Sequence, residues 1–408
     1  MGISIGLVGL GQFGRAFADL FRSHPLVDRV ALCDREAERM DAIAVRPGWE
    51  KKFNPRDRFE SLDDLLGAEL DAVAIITQPW LHAPQCLEAM EAGKHVYSAV
   101  PVISVPDGDE ILDWCGRLIE AGERTGQLYM LGETGYYRPE TMFCRHMANA
   151  GAFGDFVYAE GEYFHDVDAA CSLREVQRRR LASQAGREWV ERNQEYRRAG
   201  ALGGPMHYPT HSVCGPVSVM SARALKVTAY GYANRTGDPF FADDAFSNEV
   251  ALFRMSNGAT VRICECREVA GSFHHSETFR IMGTRGTYAE GRWRENFRTA
   301  SGSAEPLREE VVTEWKMRDP LPEEVALAFK RLEEPGATDG SDFTPKGHGG
   351  AHPYLVHEFV ESVVNARMPA INAWEAARYM AMGVMAHKSA LRDGETMEVP
   401  DFGDPPGG

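Results

Sequence analysis

The sequence predicts an α/β protein: an N-terminal Rossmann-type, doubly wound parallel sheet, followed by an α+β domain built on an open, largely antiparallel sheet. Three observations carry this expectation. A short apolar strand runs straight into glycines at 9, 11 and 14; strand and helix patterns alternate from there to residue 131; and from Gly132 the strands lengthen and alternate with polar residues. The division falls at 1–132 and 133–408, with the second part serving substrate binding and oligomerisation. Its C-terminal helices are expected to pack back on the first.

Gly9, Gly11 and Gly14 have the spacing G-x-G-x-x-G between that strand and an amphipathic segment from Arg15 to about Ser23. The first glycine permits a tight turn, the second lets the backbone approach a pyrophosphate, and the third lets the helix pack closely on the strand. Glycines alone say little, but residues 30–34 read as a second strand ending in Asp34, twenty residues after Gly14. The loop Gly9, Gly11, Gln12, Phe13, Gly14 is therefore the expected dinucleotide site. Asp34 favours NAD over NADP, because a carboxylate accepts hydrogen bonds from ribose hydroxyls and repels a 2′-phosphate. Arg35 is the counterweight, but residues 35–39 read as charged first turns of the next helix.

The remaining elements follow from periodicity. Helices are expected at 36–45, 61–66, 83–92 and 107–122, and strands at 71–76, 94–97 and 128–131, with one irregular strand unread. The second domain reads as strands at 156–164, 222–231, 249–255, 260–267 and 278–282, with Asn257-Gly258 as a hairpin turn. Residues 334–341 read as a surface loop and the tail beyond Pro400 as a strap or frayed end. Asn372 is a plausible N-cap for a helix over 373–391, whose Met380, Met382 and Met385 read as core.

Composition narrows the partners. The 408 residues are 44% hydrophobic and carry a formal charge of −16, which argues against nucleic acid as the main partner. The single basic run, Arg178-Arg179-Arg180, reads as a solvated helix face. Eight cysteines (33, 86, 115, 144, 171, 214, 264, 266) form no C-x-x-C pair and are expected to be reduced, and Cys264 and Cys266 share one strand face. No secretory or spanning segment is read and Gly6 breaks a myristoylation pattern, so neither a membrane partner nor export is expected and the cytoplasm is the default. An open sheet leaves one face without helices, which predicts a homodimer or homotetramer.

Two strand ends carry the chemistry. Thr77-Gln78-Pro79-Trp80-Leu81-His82 and Tyr97-Ser98-Ala99-Val100-Pro101 both fall at the carboxyl edge of the parallel sheet, where ligands of this architecture bind. They resemble the T-P-x-x-x-H and E-K-P segments of the Gfo/Idh/MocA oxidoreductase superfamily, a resemblance that spans nearly the whole chain. It implies cofactor contacts from Thr77, Pro79, His82, Val100 and Pro101. It also implies the loss of the family's acid/base lysine, because Val100 stands at that position and has no group to move a proton.

A second landmark of that superfamily, G-G-G-x-L-x-D-x-G-x-H, aligns with residues 201–211, so the resemblance makes His211 the family's catalytic histidine; His207 replaces the aspartate and Pro209 a glycine. Tyr208-Pro209-Thr210-His211 is similar to the Y-P-T-H segment of the NAD-dependent α-N-acetylgalactosaminidase branch, and residues 348–352 resemble its H-G-G segment. In that branch a sugar hydroxyl is transiently oxidised by NAD, a tyrosinate removes the neighbouring C–H proton, the leaving group departs, and water addition and hydride return complete a net hydrolysis. The resemblance implies Tyr208 as base, its phenol lowered by a cationic His207 or His211 and by the nicotinamide. His211 would stand at the oxidised hydroxyl, with His165, His207 and His348 as substrate contacts. The i,i+4 pairs His207/His211 and His348/His352 are broken by Pro209 and by Gly349-Gly350, so no metal is expected. Three functions stay open: a sugar or polyol dehydrogenase, an NAD-recycling glycosidase, and a non-catalytic NAD- or sugar-binding regulator.

Overall fold

The computed structural model describes residues 2–169, 172–270, 276–296 and 306–406; Cys171 lies outside them. The first domain alternates β1 (Ile3–Val8), α1 (Gln12–Ser23), β2 (Val27–Cys33), α2 (Ala37–Ala44), β3 (Arg58–Phe59), α3 (Leu62–Leu66), β4 (Ala72–Ile75), α4 (His82–Glu91), β5 (His95–Ser98), α5 (Gly108–Thr125) and β6 (Tyr129–Leu131). Strands such as Ala72-Val73-Ala74-Ile75 are buried at every residue, as a parallel sheet with helices on both faces requires. The all-parallel order is β3-β2-β1-β4-β5-β6. The direction of winding reverses between β1 and β4, which opens a crevice at their carboxyl ends. The unread strand is β3, only two residues long and without a period of its own.

The second domain contains α6 (Pro139–Asn149), β7 (Phe156–Phe164), α7 (Leu173–Ala182), α8 (Gln184–Ala199), α9 (Thr210–Met220), β8 (Ala224–Tyr232), β9 (Asn248–Met255), β10 (Thr260–Cys266), β11 (Ser276–Gly283), β12 (Gly286–Ala289), β13 (Arg292–Glu295) and β14 (Arg308–Val311). It closes with α10 (Glu314–Met317), α11 (Glu323–Lys330), α12 (Ala351–Val364), α13 (Ala373–Ala390) and β15 (Met397–Glu398). Nine strands form one sheet in the order β14-β13-β12-β11-β7-β10-β9-β8-β15. Every pairing is antiparallel except β7 with β10. Asn257-Gly258 makes the turn between β9 and β10, with Gly258 at φ +87.

One face of this sheet is covered by α9 and α13, while α12 packs on α1 and β1. Met380, Met382 and Met385 are buried in α13, and Asn372 caps it by accepting from the Trp374 and Glu375 amides at 3.1 and 3.2 Å. The tail crosses back as a strap, with Asp401 and Asp404 paired to Arg223 and Asp404 also to Arg378. Among the described residues no helix is long and apolar enough to cross a membrane.

Close approach fixes α9. A Cβ on Gly161 of β7 would lie 1.9 Å from the Ser212 carbonyl, so the strand lets the start of α9 touch its backbone. Replacing Gly161 with Ala is therefore expected to destabilise the fold by about 2 kcal/mol, measured by urea unfolding, and to displace His211 one residue away.

Candidate active site

The glycine loop is shaped for a dinucleotide. Gly9 adopts φ +89, and a Cβ there would meet the Ile76 carbonyl at 2.4 Å; one on Gly14 would meet the Gly9 carbonyl at 1.9 Å. A Cβ on Gly11 would meet nothing within 4 Å, because it faces open space at the start of α1, and no side chain caps that helix. An uncapped N-terminus with room before it is an anion site. Asp34 is buried at the end of β2, its Oδ2 accepting from the Leu10 amide at 2.7 Å and its Oδ1 from the Glu36 amide at 2.9 Å. Each oxygen keeps a lone pair for a ribose hydroxyl. These residues fit NAD. Arg35 is not part of the next helix, which begins at Ala37; it pairs with Glu188 of α8 at 2.9 Å.

The two strand-end turns are joined by His82. Its Nδ1 lies 2.8 Å from the Pro101 carbonyl and its Nε2 3.4 Å from that of Thr77, and burial lowers its pKa to about 4, so the ring is neutral. Thr77 donates to Gln85 at 2.6 Å, and the Pro79 carbonyl accepts from the Ser104 amide. In this arrangement His82, Thr77 and Pro79 brace the loop.

From the second domain, the segment before α9 is clamped on α13. The Met206 amide donates to Glu249, which also holds His387 at 2.8 Å, and a Cβ on Gly383 would sit 2.0 Å from the Met206 carbonyl. This delivers the Tyr208 hydroxyl to the Val100 carbonyl at 3.5 Å, the position of the absent lysine. The His211 ring lies 5.2 Å from that of Tyr208 and 5.0 Å from that of Tyr163.

His211 is the charged centre. Burial alone would lower its pKa, but Glu133, 2.9 Å from Nδ1, and Glu277, 4.0 Å away, raise it to about 9. Its imidazolium is therefore the dominant form at neutral pH. Burial would raise the Glu133 carboxyl, yet His211, Thr210 and the Gly135 amide hold it below the usual range. Arg138 holds Glu277 at 2.8 Å.

Tyr208 departs from expectation. Its phenol is pushed well above 10, chiefly by burial and further by the fields of Tyr163, Glu133 and Glu277, with Arg180 pulling the other way. His207 departs as well: it is buried beside His387 with rings 4.4 Å apart, its Nδ1 lies 3.2 Å from the Val105 carbonyl, and burial drives its pKa well down. It is neutral and turned toward α13.

His165 receives a 2.6 Å contact from the Tyr163 hydroxyl at the edge of the cluster. His348 packs against Phe13 at 5.5 Å and lies 2.9 Å from Nε2 of His352; its pKa falls through burial and the His211 charge.

The basic run requires correction. Arg178 and Arg179 are exposed, but Arg180 turns inward, and its guanidinium makes no hydrogen bond or ion pair among the described residues. Burial lowers its pKa while Tyr208 and Tyr163 act to raise it. Arg180, Glu133, Glu277 and Arg138 were not singled out from sequence. Only Glu133 carried a signal, an acid two residues beyond β6 at the same carboxyl edge.

Comparison with known proteins matches this architecture. Residues 3–129 match the oxidoreductase family, NAD-binding Rossmann fold (Gfo/Idh/MocA), and residues 250–405 the glycosyl hydrolase 109 C-terminal domain. The chain is 25% identical over 426 residues to a glycosyl hydrolase family 109 protein of Streptomyces niveus, covering 98% of this chain and 77% of that protein. It is 24% identical over 386 residues to an alpha-N-acetylgalactosaminidase of Tannerella forsythia, covering 88% and 74%. Among solved structures, levoglucosan dehydrogenase in complex with NADH and levoglucosan superposes with a TM-score of 0.69 at 16% identity, covering 98% of this chain and 100% of that one. Scyllo-inositol dehydrogenase from Lactobacillus casei with NAD(H) and scyllo-inositol gives 0.64 at 16%, covering 98% and 99%. The chain is an enzyme, and its cofactor is NAD.

Because the His211 pKa is raised above 6.5 on folding, the stability it contributes is complete below about pH 6.5 and is lost as pH rises through about 9. Glu133→Gln should lower the His211 midpoint by more than one pH unit, read by NMR of labelled histidine. It should also destabilise the fold by about 3 kcal/mol.

Proposed function

Since the chain joins a Gfo/Idh/MocA-family NAD-binding domain to a glycosyl hydrolase 109 C-terminal domain, we propose that it is a glycosidase whose NAD returns unchanged after each turnover. Its substrate is a sugar glycoside. The observation that carries this reading is the Tyr208 hydroxyl at the Val100 carbonyl, with the His211 imidazolium beside it, where a dehydrogenase of the superfamily would hold lysine.

Bound NAD supplies a hydride acceptor at a ring carbinol and later returns the hydride. Gly9, Gly11, Gln12, Phe13 and Gly14 would hold its pyrophosphate, Asp34 its ribose, and the Val100-Pro101 turn would face the reacting end. As the hydride leaves, His211 in its neutral form takes the hydroxyl proton, and as the imidazolium fixed by Glu133 it then donates to the new carbonyl oxygen. That polarisation acidifies the adjacent C–H. The Tyr208 phenolate takes that proton and the electron pair expels the C1 leaving group; water then adds at C1 as Tyr208 returns the proton to C2. Because burial resists the phenolate, the cation Arg180 is the protein group that favours it. His165 and His348 border the sugar position. His207 reaches it only through the backbone it shares with Tyr208.

The division at residues 132 and 133 assigns NAD to the first domain and sugar binding and self-association to the second. We further infer a cytoplasmic homodimer or homotetramer formed through the sheet face opposite α9 and α13. There Tyr230 and Tyr232 of β8 and Val250 and Leu252 of β9 are exposed on neighbouring strands. Val250→Glu with Leu252→Glu should yield monomers by size-exclusion light scattering.

With aryl glycosides, NAD-loaded protein should release phenol without net NADH. Tyr208→Phe should lower kcat by about 100-fold or more while still reducing bound NAD when a sugar is added, seen at 340 nm. Stoichiometric NADH from a free sugar would instead identify a dehydrogenase.

A further inference from the structure

The hairpin of α7 and α8 is unlike the other helices of the chain. No apolar residue of α7 is buried, its inward residue being the half-buried Arg180, and in α8 only Gly186 is buried. Its two arms are pressed together near the bend, where a Cβ on Gly186 would lie 2.1 Å from the Arg180 carbonyl. Ser172 and Ser183 cap the two helices by accepting from the Glu175 and Gly186 amides at 3.2 and 3.1 Å. The hairpin is therefore stiff within itself, yet it has no apolar core of its own to hold it in place.

What holds it is a row of contacts to the first domain. Arg179 donates to the Gln12 side chain at 3.0 Å, Arg35 pairs with Glu188 at 2.9 Å, and the Trp80 and Trp189 rings stack at 4.8 Å with 15° between planes. Of the three anchors, Gln12 opens α1 at the end of the β1 turn, and Arg35 and Trp80 lie in the turns after β2 and β4. Those turns line the crevice at the winding reversal, so a helix pair tethered to all three bridges it. At the far end, Tyr196 donates to Glu110 of α5 at 2.6 Å and Asn193 to Asp243 at 2.7 Å, which makes a hinge side distinct from the tethered edge.

We propose that the α7–α8 hairpin is a clamp that closes over NAD and sets the rate at which the cofactor leaves. Arg179 brings a guanidinium group to its inner edge, near the uncapped start of α1, where it opposes the pyrophosphate charge. An element with little buried apolar surface opens at low free energy without unfolding its neighbours. The clamp therefore releases as one body once its three tethers part. The inference builds on the recycling reading, since a cofactor restored in every turnover has no need to exchange.

The test measures NAD exchange in the full-length, NAD-loaded protein without substrate. Bound NAD is chased with excess 1,N6-etheno-NAD and the fluorescence followed, with circular dichroism and melting temperature as controls for folding. Trp189→Ala should release NAD about tenfold faster than the parent. Arg35→Glu and Glu188→Arg should each release it about threefold faster, and the double swap should return to the parent rate. Parent-like exchange in Trp189→Ala and in both charge reversals, with the fold intact, would overturn the clamp. If Trp189→Ala fails to fold, the charge-reversal pair decides alone. Faster exchange in a protein that accumulates NADH would sustain the clamp and remove the glycosidase reading; unchanged exchange in a proven glycosidase would do the reverse.

Discussion

A charged imidazole cannot be buried without carboxylates to meet it, and His211 meets two that arrive from different parts of the chain. Glu133 follows the last strand of the parallel sheet, Glu277 lies on β11 of the second sheet, and His211 is in the first turn of α9 between them. Removing one partner of such a group leaves an uncompensated charge and costs several kcal/mol, far more than a surface pair. The two domains therefore have one favourable relative placement at this point. Tyr208 stands three residues before His211, so the same constraint carries its phenol to the carboxyl edge of the parallel sheet.

What the sequence revealed was local or periodic. Gly9, Gly11 and Gly14 were readable because each removes a side chain that would strike a backbone atom or a ligand within a few residues of chain. His211 was readable because its neighbours in sequence carry the pattern. Glu133, Glu277 and Arg138 were not, since residues 78 and 66 positions from His211 meet it only through the packing of two sheets. Arg180 was hidden by company: it follows two exposed arginines, and only the rotation of one helical step turns it inward. The Tyr208 phenol was expected to be lowered and is raised, because burial, the Tyr163 hydroxyl and the carboxylates of Glu133 and Glu277 outweigh Arg180.

The loss of lysine at Val100 redistributes work that the superfamily's resemblance assigns to one side chain. Lysine combines a charge with a movable proton. In the proposed reaction the group at the oxidised carbon is His211, the base at its neighbour is Tyr208, and Arg180 is a second cation beside the base. Separating the roles places one group at the carbon to be oxidised and another at its neighbour, which a single ammonium cannot do.

The nine-stranded sheet ends differently at its rims and on its open face. β15 is only two residues long and β14 is an exposed Arg-Glu-Glu-Val, so neither rim offers a long, neutral ladder to another chain. The open face, by contrast, carries apolar side chains on β8 and β9, beside the charged Arg262, Glu160 and Glu162 of β10 and β7. Lateral strand addition, the route to unlimited fibres, is thereby disfavoured, and copies that meet through this sheet stack flat against each other. An isologous stack of that kind is complete after one partner, so the proposed association ends in a finite particle.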